Sequence, residues 1–258
     1  MSLLGGGGTP GIVYTGNGSA TLTPGQASQN PYNWLAGGST YPNVFTPKGA
    51  QLKTSYNTMY STALRSGITP TPLGTTQCGA GGIANCALSG TLANGVYIAN
   101  GSLTLTGASY TFPANKDFVI LVNGDLNINT EVHVPIGSSA LFTASGNINV
   151  ANSVGEATIT STRANVEGYY SADRSFYAKS LDANGGGANC PTSDKRLNVA
   201  GSIVVNAALN GGSLSNQRDL CQGDLNCPVF SVTERPDFVL NSPAFLKTSR
   251  RIWQEIAP

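Results

Sequence analysis

The chain has 258 residues, of which 32 are glycine, with charged residues at only 10% and a formal net charge of +1. That charged share lies well under the usual ~25%, and no basic run is longer than Arg250-Arg251, which excludes the electrostatic footprint of a nucleic-acid binder. No stretch approaches the ~20 apolar residues of a membrane helix, and "MSLLGGGGTPG" has neither a basic n-region nor an apolar h-region, so neither a membrane span nor an export signal is expected here.

Polarity comes instead from Asn, Ser and Thr, whose short side chains hydrogen-bond locally and favour turns and strands over helices. An all-β protein is predicted. The first 48 residues form a Gly/Thr/Asn/Pro-rich extended segment, in which "GIVYTGNGSATLTP" (11–24) reads as a hairpin or an early strand pair. Residues 49–67 carry Leu52, Tyr56, Met59, Tyr60 and Ala63 at helical spacing, with Gly67 placed to end the helix. This is the predicted capping helix, lying over the upstream end of the domain that fills residues 68–258.

A glycine repeat organises that domain. Gly101, Gly124, Gly146 and Gly168 lie 23, 22 and 22 residues apart, and Gly201 follows after 33. Around them, alternate positions are apolar: Ile120, Val122, Leu126 and Ile128 about Gly124, and Phe142, Ala144, Ile148 and Val150 about Gly146. In a strand, alternate side chains share a face, so these point inward while Asn100, Ser102, Thr104, Asn123, Asp125, Asn127, Ser145, Asn147 and Asn149 point outward. The five glycines mark corners between short strands. Such strands cannot bury an apolar face alone, whereas stacked ones share a core. The fold predicted is therefore an all-β, right-handed single-stranded parallel β-helix with coils of ~22 residues, stacking Val122, Ala144 and Val166. Residues 181–194 are an insertion in one coil, and the tail with Phe238, Phe245 and Trp253 packs along the last coils.

Five cysteines fall in loops: Cys78, Cys86, Cys190, Cys221 and Cys227. Their spacing is not that of a zinc site, and His133 is the single histidine available to complete one, so no metal or other cofactor is expected. Cys78–Cys86 is the favoured disulfide, which points to an oxidising, extracellular setting. Cys190 can pair with Cys221 or Cys227, or stay free.

The strings "GVYIANGSLTLTG", "VILVNGDLNIN", "RLNVAGSIVVNAALNGG", "NQRDL", "RPDFVLNSPAFL" and "WQEIAP" resemble the pectin-lyase-like β-helical modules that close large surface proteins of uncultured candidate-phyla bacteria. The resemblance spans roughly residues 50–258. It implies an exported module at the cell surface and supplies no catalytic residues.

Glycan-cleaving enzymes of that shape gather carboxylates on one outer face. Here the outer columns read Asn100, Asn123, Ser145, Glu167, Ala200 and Ser102, Asp125, Asn147, Tyr169, Ser202, with no acidic column. The nearest ligand-binding patch is Glu167, Tyr169, Asp173, Arg174, Tyr177 and Lys179, where tyrosine faces would meet a sugar and Arg174 an acid. Tyr170 reads as core, Asp125 and Asp219 as loop residues, and His133 as a corner residue. The expected function is a noncatalytic extracellular or cell-surface module with a structural, adhesive or filament-assembly role, whose partners are itself, surface glycans or proteins. The alternative is a glycan-binding or polysaccharide-cleaving protein.

Overall fold

The structure, a computed structural model, describes residues 54–88, 92–181, 194–206, 211–220 and 227–246, together with three strands nearer the N-terminus. Strands in chain order are β1 (Ile12–Tyr14), β2 (Ala20–Thr21), β3 (Leu35–Gly37), β4 (Thr71–Pro72), β5 (Gly95–Ala99) and β6 (Leu103–Leu105). There follow β7 (Tyr110–Thr111), β8 (Asp117–Val122), β9 (Leu126–Ile128), β10 (Val132–His133), β11 (Ser139–Ala144) and β12 (Ile148–Val150). The last are β13 (Val166–Ala172), β14 (Phe176–Ala178), β15 (Leu197–Val205), β16 (Leu214–Asn216) and β17 (Phe230–Thr233).

These strands make two parallel sheets. The larger has 11 strands, in the order β3-β1-β15-β13-β11-β8-β5-β4 with β7, β10 and β17 branching from it, and the smaller has 6, in the order β2-β16-β14-β12-β9-β6. The apolar residues before each corner enter the first sheet and those after it the second. Tyr97, Ile120, Phe142, Tyr170 and Ile203 are in register across the large sheet, and Leu103, Leu126, Ile148, Phe176 and Leu214 across the small one. Both rows belong to one buried cluster between the sheets. Phe142 and Tyr170 stack with ring centroids 5.1 Å apart, and burial of such side chains contributes roughly 1.5–3 kcal/mol each.

The expectation of a uniform, all-β, single-stranded parallel β-helix is corrected by three findings. First, the register is not a constant 22. Neighbouring strands lie 23 residues apart at Tyr97–Ile120, 22 at Ile120–Phe142, 28 at Phe142–Tyr170 and 33 at Tyr170–Ile203. Ala144 is therefore beside Ala172, while Val166 is beside Val132 and Val199. All are buried, but the expected column Val122–Ala144–Val166 does not exist. Gly101, Gly124 and Gly146 share one corner column, with a Cβ on Gly146 falling 3.0 Å from the Gly124 carbonyl carbon, whereas Gly168 pairs with Gly201 inside strands. The 22-residue spacing from Gly146 to Gly168 is a coincidence of sequence.

Second, the large sheet is covered on its other face by a helix. Helix α1 (Tyr56–Arg65) starts at Ser55, whose Oγ accepts from the Thr58 N–H, and the chain leaves it at Gly67 with φ 75°. Its Tyr56, Met59 and Ala63 pack on Val96, Ile98, Val119, Leu121 and Leu141, the residues alternating with the core set. The helix thus lies along the flank of the sheet and is not an upstream end cap. Third, the N-terminal strands join after the later ones: β1 pairs in parallel with β15 and β3, and β2 with β16, so this segment is not a hairpin. Together these give a curled half-barrel of parallel strands, a second parallel sheet and flanking helices, an α/β-like arrangement.

The Cys78–Cys86 disulfide forms as expected. It closes helix α2 (Thr75–Cys78) and the 3₁₀ turn Gly79–Asn85 into a loop that lies beside β6, through the bridge of Cys86 to Leu105. Cys227 is a free thiol, and Cys190 and Cys221 lie outside the described residues, as does Trp253. After β17, helix α3 (Asp237–Leu240) buries Phe238 completely against Tyr169, and Phe245 packs near α1.

Candidate functional site

The six residues expected to form one patch are spread over five surroundings. Asp173 is buried, and its carboxylate accepts hydrogen bonds from the Tyr56 N–H at 3.1 Å and from the Asn206 Nδ2 at 2.9 Å. It closes the N-terminus of α1, and burial pushes its pKa above the ordinary aspartate value despite those bonds. Tyr169 lies edge-on to Phe238 and lines an apolar cleft of about 220 Å³ with Leu141, Val204, Pro243 and Leu246. Arg174 is exposed beyond the end of β13.

Glu167 belongs to a band of paired charges along β10 and β13. Its carboxylate accepts from the Val134 N–H at 2.9 Å and the Arg235 Nη1 at 3.0 Å, and lies 3.6 Å from His133 Nδ1. The other ring nitrogen of His133 is 3.3 Å from Glu131. Glu131 receives Arg163 through both terminal guanidinium nitrogens at 2.7 and 2.9 Å, and the Arg163 Nε reaches Glu156 at 2.7 Å. Arg235 also clasps Asp237 and packs over the Phe238 ring, fastening the C-terminal segment. Burial raises the pKa of both Glu131 and Glu167, but their cationic and N–H partners outweigh it and leave both carboxyls below the ordinary range. The hydrogen bond to Glu167, helped by Glu131, raises His133. Carboxylates so held are weak general acids near neutral pH.

Tyr177 and Lys179 lie on the small sheet, whose outer face is different. Each of β6, β9, β12, β14 and β16 buries its first and third residues and turns its middle residue outward. Those middle residues, Thr104, Asn127, Asn149, Tyr177 and Ser215, are in register. The Asn127 Nδ2 donates to Thr104 Oγ1 at 3.3 Å, and the Asn149 Nδ2 donates to Asn127 Oδ1 at 2.9 Å. Each amide thus uses one N–H along the row and keeps another for an outside acceptor. Thr104, Asn127, Asn149, Asn152 and Lys179 help line an open groove of about 460 Å³. Lys179 Nζ sits 4.1 Å from the Tyr177 ring centroid.

A second ladder supports this face at the corner preceding it. Ser102 Oγ accepts the Asp125 N–H, Asp125 Oδ1 the Asn147 N–H, Asn147 Oδ1 the Ser175 N–H, and Ser175 Oγ the Ser213 N–H. Asp125 is therefore a corner residue, as its sequence context suggested. These side chains satisfy strand-end N–H groups that the sheet leaves unpaired.

Sequence reasoning missed Arg218 and Arg235. Arg218 is wholly buried and donates to the carbonyls of Ala151, Val154 and Lys195 at 2.6–2.9 Å, its pKa pulled down by burial to about 10. Nothing local marks Arg218, whose carbonyl partners lie 23 to 67 positions away, and Arg235, beyond its neighbour Asp237, reaches Glu167 and Val134 at 68 and 101 positions. The Asn row was legible as outward and polar, yet its role as a groove wall depends on which strands are neighbours. No group of three or more His, Cys, Asp or Glu suited to a metal ion occurs among the described residues. No family model, curated protein or solved structure matches the chain.

Proposed function

We propose that the chain is a noncatalytic extracellular or cell-surface module with a structural or adhesive role. The observation supporting this reading is that the acids of the candidate patch and the charge band are engaged within the fold: Glu131 and Glu167 with arginines and His133, and Asp173 with the start of α1. The Cys78–Cys86 disulfide supports an oxidising compartment. Adhesion is favoured over filament assembly, because β4 at one edge of the large sheet is two residues long and ends in Pro72, which blunts further pairing.

Incubation with a panel of polysaccharides, with and without calcium, tests the reading. No new reducing ends and no unsaturated products are expected. Either product, lost on Glu167→Gln, would establish the cleaving alternative.

A further inference from the structure

We infer that the outer face of the small sheet is a binding site for an acidic polysaccharide, seated along the row Thr104–Asn127–Asn149–Tyr177 with a carboxylate at Lys179. The inference deepens the noncatalytic reading by naming the ligand of an adhesive module, and rests on it. Three features of this face point to this chemistry.

The wall is made of side-chain amides and a hydroxyl at one register position on successive strands, held by the hydrogen bonds between them. The row is preorganised, so a ligand does not have to order it. It also offers donors and acceptors at the strand spacing of ~4.8 Å, which suits a chain of hydroxyl-bearing units better than a single compact molecule. Next along the row, half-buried Tyr177 lies outside the groove lining and supports Lys179, whose ammonium rests over its ring and reaches the groove.

Lys179 then sets the sign of the ligand. Its ammonium rests over Tyr177, and no carboxylate among the described residues pairs with it, in contrast to Arg163 and Arg235, which are each in ion pairs. Among the described residues, no acid lines the groove. A neutral amide wall ending in the Lys179 ammonium complements a chain carrying hydroxyls and intermittent carboxylates. It does not suit nucleic acid, which needs several cations along its backbone.

The test is calorimetric titration of the whole protein with a hexamer of glucuronate, a glucose hexamer of the same linkage, and glucuronic acid monomer. The glucuronate hexamer is expected to bind at least about tenfold more tightly than the other two. Lys179→Met should remove about tenfold of that affinity, the loss expected of one charge-assisted hydrogen bond at an exposed site, and leave the glucose hexamer unaffected. Asn149→Ala should weaken both hexamers, and both variants should melt at the parental temperature. Equal affinity for the two hexamers, binding to none of the three, insensitivity to Lys179→Met, or a monomer as tight as the hexamer would overturn the inference. Cleavage products in the same samples would instead overturn the noncatalytic reading, so the two failures are distinguishable.

Discussion

The two sheets share one core but meet the outside differently. Strands of the large sheet such as β8, Asp-Phe-Val-Ile-Leu-Val, are buried on both faces from their second residue onward: Ile120 and Val122 face the small sheet, and Val119 and Leu121 face α1 and its neighbours. Strands of the small sheet alternate strictly, with Leu126 and Ile128 inside and Asn127 outside. A continuous apolar run thus marks a covered face and an alternating one marks an open face. The open face carries the polar groove, and the covered face carries the helix.

Substitutions on the outward side of each sheet offer the strongest way to break this contrast. Leu121→Ala is expected to cost about 2–5 kcal/mol, as for a large side chain lost from a packed interior, measured by denaturant unfolding. A cost below about 1 kcal/mol would show that α1 does not cover that face. Removing the Cys78–Cys86 loop closure by double serine substitution should cost about 2–3 kcal/mol on the chain-entropy model. Its effect should fall on the edge of the small sheet beside β6, read as faster amide exchange at Leu103 and Leu105.

Asp173 sharpens the comparison, because it ties the helix to the large sheet. Asp173→Ala leaves the Tyr56 N–H and Asn206 amide without their acceptor and should cost about 1–3 kcal/mol. Asp173→Asn keeps an acceptor and removes a buried charge. Since the folded-state pKa is raised, the ionised carboxylate is disfavoured by folding at neutral pH, and that penalty is relieved as pH falls through the folded value. Asp173→Asn is therefore expected to be neutral or stabilising at pH 7, and a loss equal to that of Asp173→Ala would contradict the capping role.

Smaller effects are expected from the charge band fastening the C-terminal segment. Glu131, Glu167 and Asp237 have folded pKa values below their ordinary ones, so their contribution is present at neutral pH and is lost as pH falls through those lowered values. His133 has a raised pKa, so its contribution is full below the ordinary histidine value of ~6.5 and is lost as pH rises through the raised one. His133→Gln should flatten the decline of stability above neutrality and leave the acid limb in place, measured by thermal melting across pH. The smallest stability effect is expected of Asn127→Ala on the open face, within about 1 kcal/mol.

Much of this was legible from residue order. Alternation identified the inward residues about Gly101, Gly124 and Gly146, the spacing of Tyr56, Met59 and Ala63 revealed the helix, and Tyr170 is in the core. The register beyond Gly146 was not legible, because residues 151–165 lengthen the path to the next strand while a second glycine happens to keep the 22-residue interval. The flanking helix was placed at an end because alternation says which side chains differ, not what covers each side. The candidate patch at Glu167–Lys179 was contiguous in sequence, but a strand, a corner and another strand carry its members to different surfaces.

Thiol labelling tests the contrast between the two sheets most directly. In a Cys227→Ser background, Leu121→Cys and Asn127→Cys each place a thiol on the outward side of one sheet, and modification of the native protein by a maleimide is followed by peptide mass spectrometry. The cysteine at 121 is expected to stay unmodified under conditions in which the one at 127 reacts fully. Equal labelling of the two positions would contradict a large sheet covered on both faces and a small sheet open on one.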